Sequence, residues 1–260
     1  MAKSGRLDIS LDYLKFTIEA DGEEFTEELS ELLESILEKE KTADSVVAEY
    51  IRANGLGSGF DGTDDEMSRY PGTRCLVNYF CIKDRPLLRK IDKRISTYRT
   101  AELLATPLDM PFTFDYLKAL HSHLFGDLYP SAGIVRKSVT GRHTEYCRAD
   151  YLEPQAAKLF AALRKDNYLK GHDEDDIEDF INAMAYYMGE MEALHPFLDG
   201  NGRVTRLFFS ELSVNAGFAI GWSSADPDDF LEANVAALDG DYQALVDVLE
   251  EIVIPISKKS

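Results

Sequence analysis

His195-Pro-Phe-Leu-Asp-Gly-Asn-Gly-Arg-Val-Thr-Arg206 interrupts two helix-period stripes of apolar residues. Before it, Ile177, Phe180, Ile181, Met184, Met188 and Met191 recur at the spacing that buries one face of a helix. After it, Val204, Phe208, Leu212 and Val214 resume an approximate helical stripe. The stretch is therefore a loop between two core helices, with Phe197 plugging it into the core. Its polar residues carry distinct chemistries. His195 exchanges a proton near neutral pH, and Asp199 is a hard oxygen ligand suited to Mg²⁺. Gly200-Asn201-Gly202 lets the backbone turn and present N–H groups where a helix begins. Arg203 and Arg206, three apart, project from one side of that helix toward an anion. Together they make a site for a nucleoside polyphosphate. A plain corner with solvated charges would account for a lone His or a lone Gly-Asn-Gly, but poorly for the whole set between two core helices.

The chain has 260 residues, enough for one large domain or one domain with an appendage. An apolar fraction of 45% supports a substantial core. The formal charge of −19 argues against nucleic acid and against an anionic membrane surface as partners. No apolar run approaches the length of a membrane span. Cys75, Cys81 and Cys147 form no CxxC pair, and no signal peptide is evident, which fits a reducing cytoplasm and no structural zinc.

Residues 1–54 read as a compact helical appendage. Leu11, Leu14 and Ile18 mark a first helix ended by Asp21-Gly22. Thr26 caps a second helix carrying Leu29, Leu32, Leu33, Ile36 and Leu37, and Thr42 a third carrying Val46, Val47, Tyr50 and Ile51. Three short helices make a marginal core and need a partner surface. Residues 55–69, rich in Gly and turn formers, are a linker, and residues 70–260 form the main domain. There the pattern predicts helices near 86–104, 114–125, 153–166, 174–194, 200–217, 227–237 and 240–253. Lys137–Cys147 has short β-prone pieces around Gly141 that make either a hairpin or a connecting loop. The fold class is mainly α with one small β element. His121 and His123 point to different faces of one helix and make a poor metal pair; with His143 and His172 they read as structural or surface residues.

The 195–206 stretch resembles the signature of the Fic family, HxFx(D/E)GNGRxxR, at every specified position. His123-Leu124-Phe125 through Tyr129-Pro130-Ser131-Ala132-Gly133 is similar to that family's hlF…iYpwAG segment, with Ser131 where tryptophan is common. Tyr70-Pro71-Gly72-Thr73 is similar to the entry to its catalytic core. The resemblance runs from about Tyr70 to the C-terminus and implies the Fic helical bundle with a small β-hairpin flap. It further implies transfer of AMP from ATP to a Ser, Thr or Tyr hydroxyl of a protein, with Mg²⁺ as cofactor. His195 is then the catalytic base and Asp199 the Mg²⁺ ligand. Gly200, Asn201 and Gly202 cradle the phosphates, the Asn201 side chain included, while Arg203 and Arg206 hold the β- and γ-phosphates. The flap, at Thr140, Gly141 and Thr144, aligns the target by strand addition. The class I toxins of the family imply the ATPase subunits of bacterial type II topoisomerases as targets. Two alternatives stay open: a kinase-like transfer on the same scaffold, disfavoured by the intact Gly202 and Arg203, and a non-catalytic nucleotide- or partner-binding module, disfavoured by the retained His195 and Gly202.

The first helix carries a second resemblance. Thr17-Ile-Glu-Ala-Asp21-Gly22 is similar to the inhibitory motif (S/T)xxxE(G/N) that restrains Fic proteins, with Asp21 in place of Glu. The three-helix layout looks like the class I Fic antitoxin. Thr17, Asp21 and Gly22 are thereby implied as an inhibitory helix, supplied by this chain or a neighbouring one. The competing reading is that Asp21-Gly22 is only a helix C-terminus, where an acid is unfavourable for the helix dipole. Ser30 to Ser35 is a second near match within a helix.

Overall fold

The computed structural model describes residues 3–60, 62, 68–138 and 146–256. Among them the chain forms α1 (Lys3–Ala20), α2 (Glu27–Leu37), α3 (Ala43–Ala53), α4 (Arg85–Ala105), α5 (Phe114–Phe125), α6 (Ala149–Lys165), α7 (Ile177–Leu194), α8 (Asn201–Ala216), α9 (Pro227–Ala237) and α10 (Gln243–Ile252). One two-stranded antiparallel sheet pairs β1 (Phe218–Ile220) with β2 (Val253–Pro255), Ala219 facing Ile254. The fold is mainly α, as the pattern predicts. Thr140, Gly141 and Thr144, the expected flap positions, lie outside the described residues, as does His143.

The chain divides into two compact units, one of Met1–Glu23, Met110–Leu117 and Val135–Ser260, the other of Glu24–Asp109 and Lys118–Ile134. The three N-terminal helices are split between them, α1 in the first and α2 with α3 in the second.

The first unit is built on α7, which packs against α6, α8, α9 and α10. Phe180 of α7 stacks on Phe218 with ring centroids 4.1 Å apart. Phe208 of α8 meets Phe112, Tyr116, Phe160 and Phe209 edge-on or tilted. Burying each such ring contributes about 1.5–3 kcal/mol, so α7 and α8 enter the intervening loop from fixed directions. Val214 departs from the expected stripe and is 43% exposed, while Leu207 and Phe209 are fully buried. Two residues beyond Leu212, Val214 has turned away from the face that Leu212 buries. Gly217, at φ 104°, ends α8 by donating to Ser213 O and turns the chain into β1. The last helix stops at Ile252, short of the expected Val253. Val253 and Ile254 are β-branched, and Pro255 biases Ile254 away from helical backbone.

α1 packs on the short 3₁₀ turn at 222–224 and on α9. Tyr13, Leu14, Phe16 and Ile18 are buried. The Phe16 ring lies 5.2 Å from that of Trp222 and 6.2 Å from that of Phe230, and Asp12 accepts a hydrogen bond from the Ser223 N–H.

In the second unit α2 and α3 lay their apolar faces on α4. Thr26 and Thr42 cap them as expected, accepting from the Leu29 and Ser45 amides. Arg99 of α4 bonds Asp127 through Nε at 2.6 Å and Asp44 through Nη1 at 2.8 Å. His121 accepts from the Gly133 N–H, whereas His123 faces Glu102; the two serve different partners, as their helix spacing requires.

Candidate functional site

The predicted loop sits where α7 ends. His195 caps that helix in a left-handed conformation, φ 42° and ψ 61°, its N–H donating to Met191 O. A non-glycine residue there is strained, and such strain persists only where neighbours over-determine it. Arg136 is the main neighbour responsible. Its backbone N–H donates to Pro196 O at 2.9 Å. Its guanidinium, on a residue 2% exposed, donates to His195 O at 2.7 Å and Leu194 O at 3.3 Å. The same side chain donates to Ser138 O and Cys147 O, at 2.7 and 2.5 Å. Burial pulls this guanidinium below its ordinary pKa, and the carbonyls of a helix C-terminus are the partners that favour its charge.

Around the imidazole the structure assembles two residues the sequence pattern does not single out. Tyr146 stacks on the His195 ring with centroids 3.7 Å apart and planes 5° from parallel. Glu192, one turn back on α7, places Oε1 at 3.3 Å from His195 Nδ1 and accepts from the Tyr146 hydroxyl. Arg136, Tyr146 and Glu192 lacked any local signal, because the first two come from a distant stretch of chain and Glu192 reads as an ordinary polar helix position.

Beyond His195, Phe197 is fully buried, as expected. Its N–H donates to Asn201 Oδ1 and its carbonyl accepts from Asn201 Nδ2, both at 2.9 Å. Asn201 is 3% exposed. Its side chain therefore braces the loop instead of reaching outward to phosphate, which corrects that part of the expectation; its place in the first turn of α8 stands. Asn201→Ala should leave the buried Phe197 N–H and C=O without partners, at a cost of about 2–4 kcal/mol, read as a lower urea midpoint with an unchanged slope.

Gly200, at φ 78°, opens α8 with no side-chain cap, and its N–H donates to Asp199 Oδ1 at 2.8 Å. The amides of an uncapped first turn have no intrahelical acceptors and, with the dipole, form an anion cradle. Gly202 is exposed in this turn, and a Cβ on it would lie 3.4 Å from Arg206 Nη1. Gly200, Gly202 and Arg206 thus converge at the start of α8, with Arg203 on the same turn. Asp199 is an exposed carboxylate at the bend. Among the described residues no three His, Cys, Asp or Glu side chains group as a metal cage. A single carboxylate beside a phosphate cradle is the donor set that suits Mg²⁺, which keeps waters and shares substrate phosphates.

α1 reaches the same turn. The Tyr13 hydroxyl donates to Arg203 O at 3.3 Å, and burial pushes that phenol up to about 12, opposed by nearby Arg206. The Phe16 ring centroid lies 5.8 Å from the Arg206 guanidinium carbon. Arg206 Nε is buried with no hydrogen-bond partner. Thr17 is buried on this helix, and Asp21 is half-buried just past its end. Gly22, at φ 76°, donates to Glu19 O and so also performs the work of a helix C-terminus. In the competing near match, the Ser30 hydroxyl bonds Glu34 within α2.

A model of the Fic/DOC family matches residues 111–213. The chain is 31% identical over 195 residues to the probable protein adenylyltransferase y4lH of Sinorhizobium fredii, covering 75% of this chain and 98% of that one. It is 30% identical over 182 residues to the protein adenylyltransferase VbhT of Bartonella schoenbuchensis, 70% of this chain but 37% of VbhT. Among solved structures it superposes on the Fic domain of a Bartonella sp. AR 15-3 effector with a TM-score of 0.66 and 26% identity, over 72% of this chain and 90% of that one. The family model, a relative matched over nearly its whole length and a solved fold thus agree, and the chain belongs to the Fic/DOC family.

Proposed function

We propose that this chain transfers AMP from ATP to a Ser, Thr or Tyr hydroxyl of another protein. Nucleotidyl transfer is the activity for which its curated relatives are named. The observation that carries the reading is the held His195 beside the uncapped first turn of α8. His195 accepts the hydroxyl proton as that oxygen attacks the α-phosphorus. The new O–P bond forms, the bond to the β-phosphate oxygen breaks, and pyrophosphate leaves. Positioned general-base help of this kind contributes roughly 10²–10⁴-fold. The first-turn amides, with Arg203 and Arg206, hold the departing phosphates. Mg²⁺ held by Asp199 would neutralise charge on those phosphates.

Asp199→Ala should lower the rate in Mg²⁺ while Mn²⁺ partly restores it; full activity without any divalent ion would remove Asp199 from the metal assignment. Intact-mass spectrometry after incubation with ATP, Mg²⁺ and candidate acceptors tests the reaction itself. An AMP-sized adduct supports it, whereas a phosphate-sized adduct or none does not.

The finer reading is a toxin of the bacterial cytoplasm acting on ATPase subunits of type II topoisomerases, supported by the class I resemblance. Residues 1–54 form its inhibitory segment, 55–69 the linker and 70–260 the catalytic domain. Thr17, Asp21 and Gly22 form the inhibitory turn, and the packing of α1 within the unit that carries α8 supports docking in cis. Thr140, Gly141 and Thr144 align the target segment.

A further inference from the structure

We infer that Glu192, assisted by Tyr146, positions His195 by holding Nδ1 as an N–H, which leaves Nε2 as the lone pair that takes the hydroxyl proton. This rests on His195 being the base. A neutral imidazole has one donor and one acceptor nitrogen, and the partner of one nitrogen fixes the role of the other. His195 Nδ1 is buried and makes no hydrogen bond of ordinary geometry, yet Glu192 Oε1 stands 3.3 Å away. Catalytic hydrogen bonds are often long or poorly aligned outside the Michaelis complex, so this contact is the one that would shorten when substrate binds.

Three further observations separate the arrangement from a chance surface pair. The His195 and Glu192 side chains are only 18% and 15% exposed. Tyr146, 4% exposed, covers one face of the imidazole at 3.7 Å and donates to the same Glu192 oxygen at 3.2 Å. The stretch beside Tyr146 is itself pinned, since the Cys147 N–H donates to Ala193 O and the Cys147 carbonyl accepts from Arg136. Tyr146 thus fixes both the ring plane, by stacking, and the carboxylate, through its hydroxyl. When Nε2 takes the proton, the imidazolium that forms has the Glu192 carboxylate at Nδ1.

The test uses the full chain, ATP labelled at the α-phosphate and a bacterial lysate as the source of acceptors. Glu192→Ala should lower the rate at saturating ATP by about 10–100-fold, with the KM for ATP unchanged. Glu192→Gln, which keeps an acceptor oxygen, should recover part of that loss. In ¹⁵N spectra of histidine-labelled protein, the His195 signal, assigned by its loss in His195→Ala, should report Nδ1–H in the parent chain and in Glu192→Gln, and mixed tautomers in Glu192→Ala. A parent ring protonated at Nε2 overturns the inference without recourse to any variant. So does Glu192→Ala with an unchanged saturating rate, or with a lower rate and an unchanged tautomer. Should the alanine variant not fold, Glu192→Leu, of similar bulk, replaces it. Activity persisting in His195→Ala would instead sink the assignment of the base.

Discussion

His195→Ala is expected to remove AMP transfer and to leave ATP binding unchanged. On the proposed mechanism the substitution deletes the general base, help that typically contributes about 10²–10⁴-fold. It leaves in place the amides at the start of α8, Arg203 and Arg206, the groups proposed to hold phosphate. The loop keeps its own brace, because Phe197 and Asn201 bond each other through backbone and side chain, downstream of residue 195. Alanine at φ 42° is strained as histidine is, so the backbone penalty changes little. Arg136 still holds the residue 195 carbonyl, which the substitution does not touch. The measurement pairs labelled AMP transfer with calorimetric titration of ATP. Loss of transfer together with loss of ATP binding would make His195 a structural residue of the loop.

What the sequence makes legible here follows from which information is local. Spacing alone identifies the loop, the helices on either side and the burial of Phe197, because helical period and burial are recorded in neighbouring residues. The Asn201 side chain is different: an amide that binds phosphate and one that ties down its own loop have the same letter at the same position, and only the backbone path of Phe197 decides between them. Arg136 and Tyr146 lie 59 and 49 residues before His195 in the chain, so no window around the loop contains them. The run Ile252 to Pro255 is short and apolar, a pattern that helix and strand share. Residues 1–54 show a related limit. Their stripes report that each helix buries a face but not against what, and α1 packs on the 222–224 turn and α9 while α2 and α3 pack on α4.

Asp21→Gly is expected to raise AMP transfer by roughly 10²-fold and to arrest the growth of bacteria expressing the protein. α1 reaches the first turn of α8, with the Tyr13 hydroxyl on Arg203 O and the Phe16 ring 5.8 Å from the Arg206 guanidinium carbon. Arg206 Nε is buried without an acceptor, a state that costs about 1–3 kcal/mol. On the proposed brake, the Asp21 carboxylate at the end of α1 competes for this guanidinium. Under such a brake ATP would enter with its terminal phosphates turned aside and its α-phosphorus badly presented to the attacking hydroxyl. A misplacement of about 1 Å is enough for a 10²-fold loss of rate, so the brake need not exclude nucleotide. Its being part of the same chain adds to it, since a tethered helix faces its site at an effective concentration in about the millimolar range. The point variant is the cleaner test. Deleting residues 1–54 would also strip the buried Tyr13, Leu14, Phe16 and Ile18 from the unit that carries the site, whereas a glycine beside the Gly22 turn alters little of the packing. Asp21→Glu, which restores the longer acid of the inhibitory motif, should tighten the brake and lower transfer below that of the parent chain. If Asp21→Gly binds ATP, melts where the parent melts and shows no rise in transfer or toxicity, α1 is a scaffold for α8 and not its inhibitor.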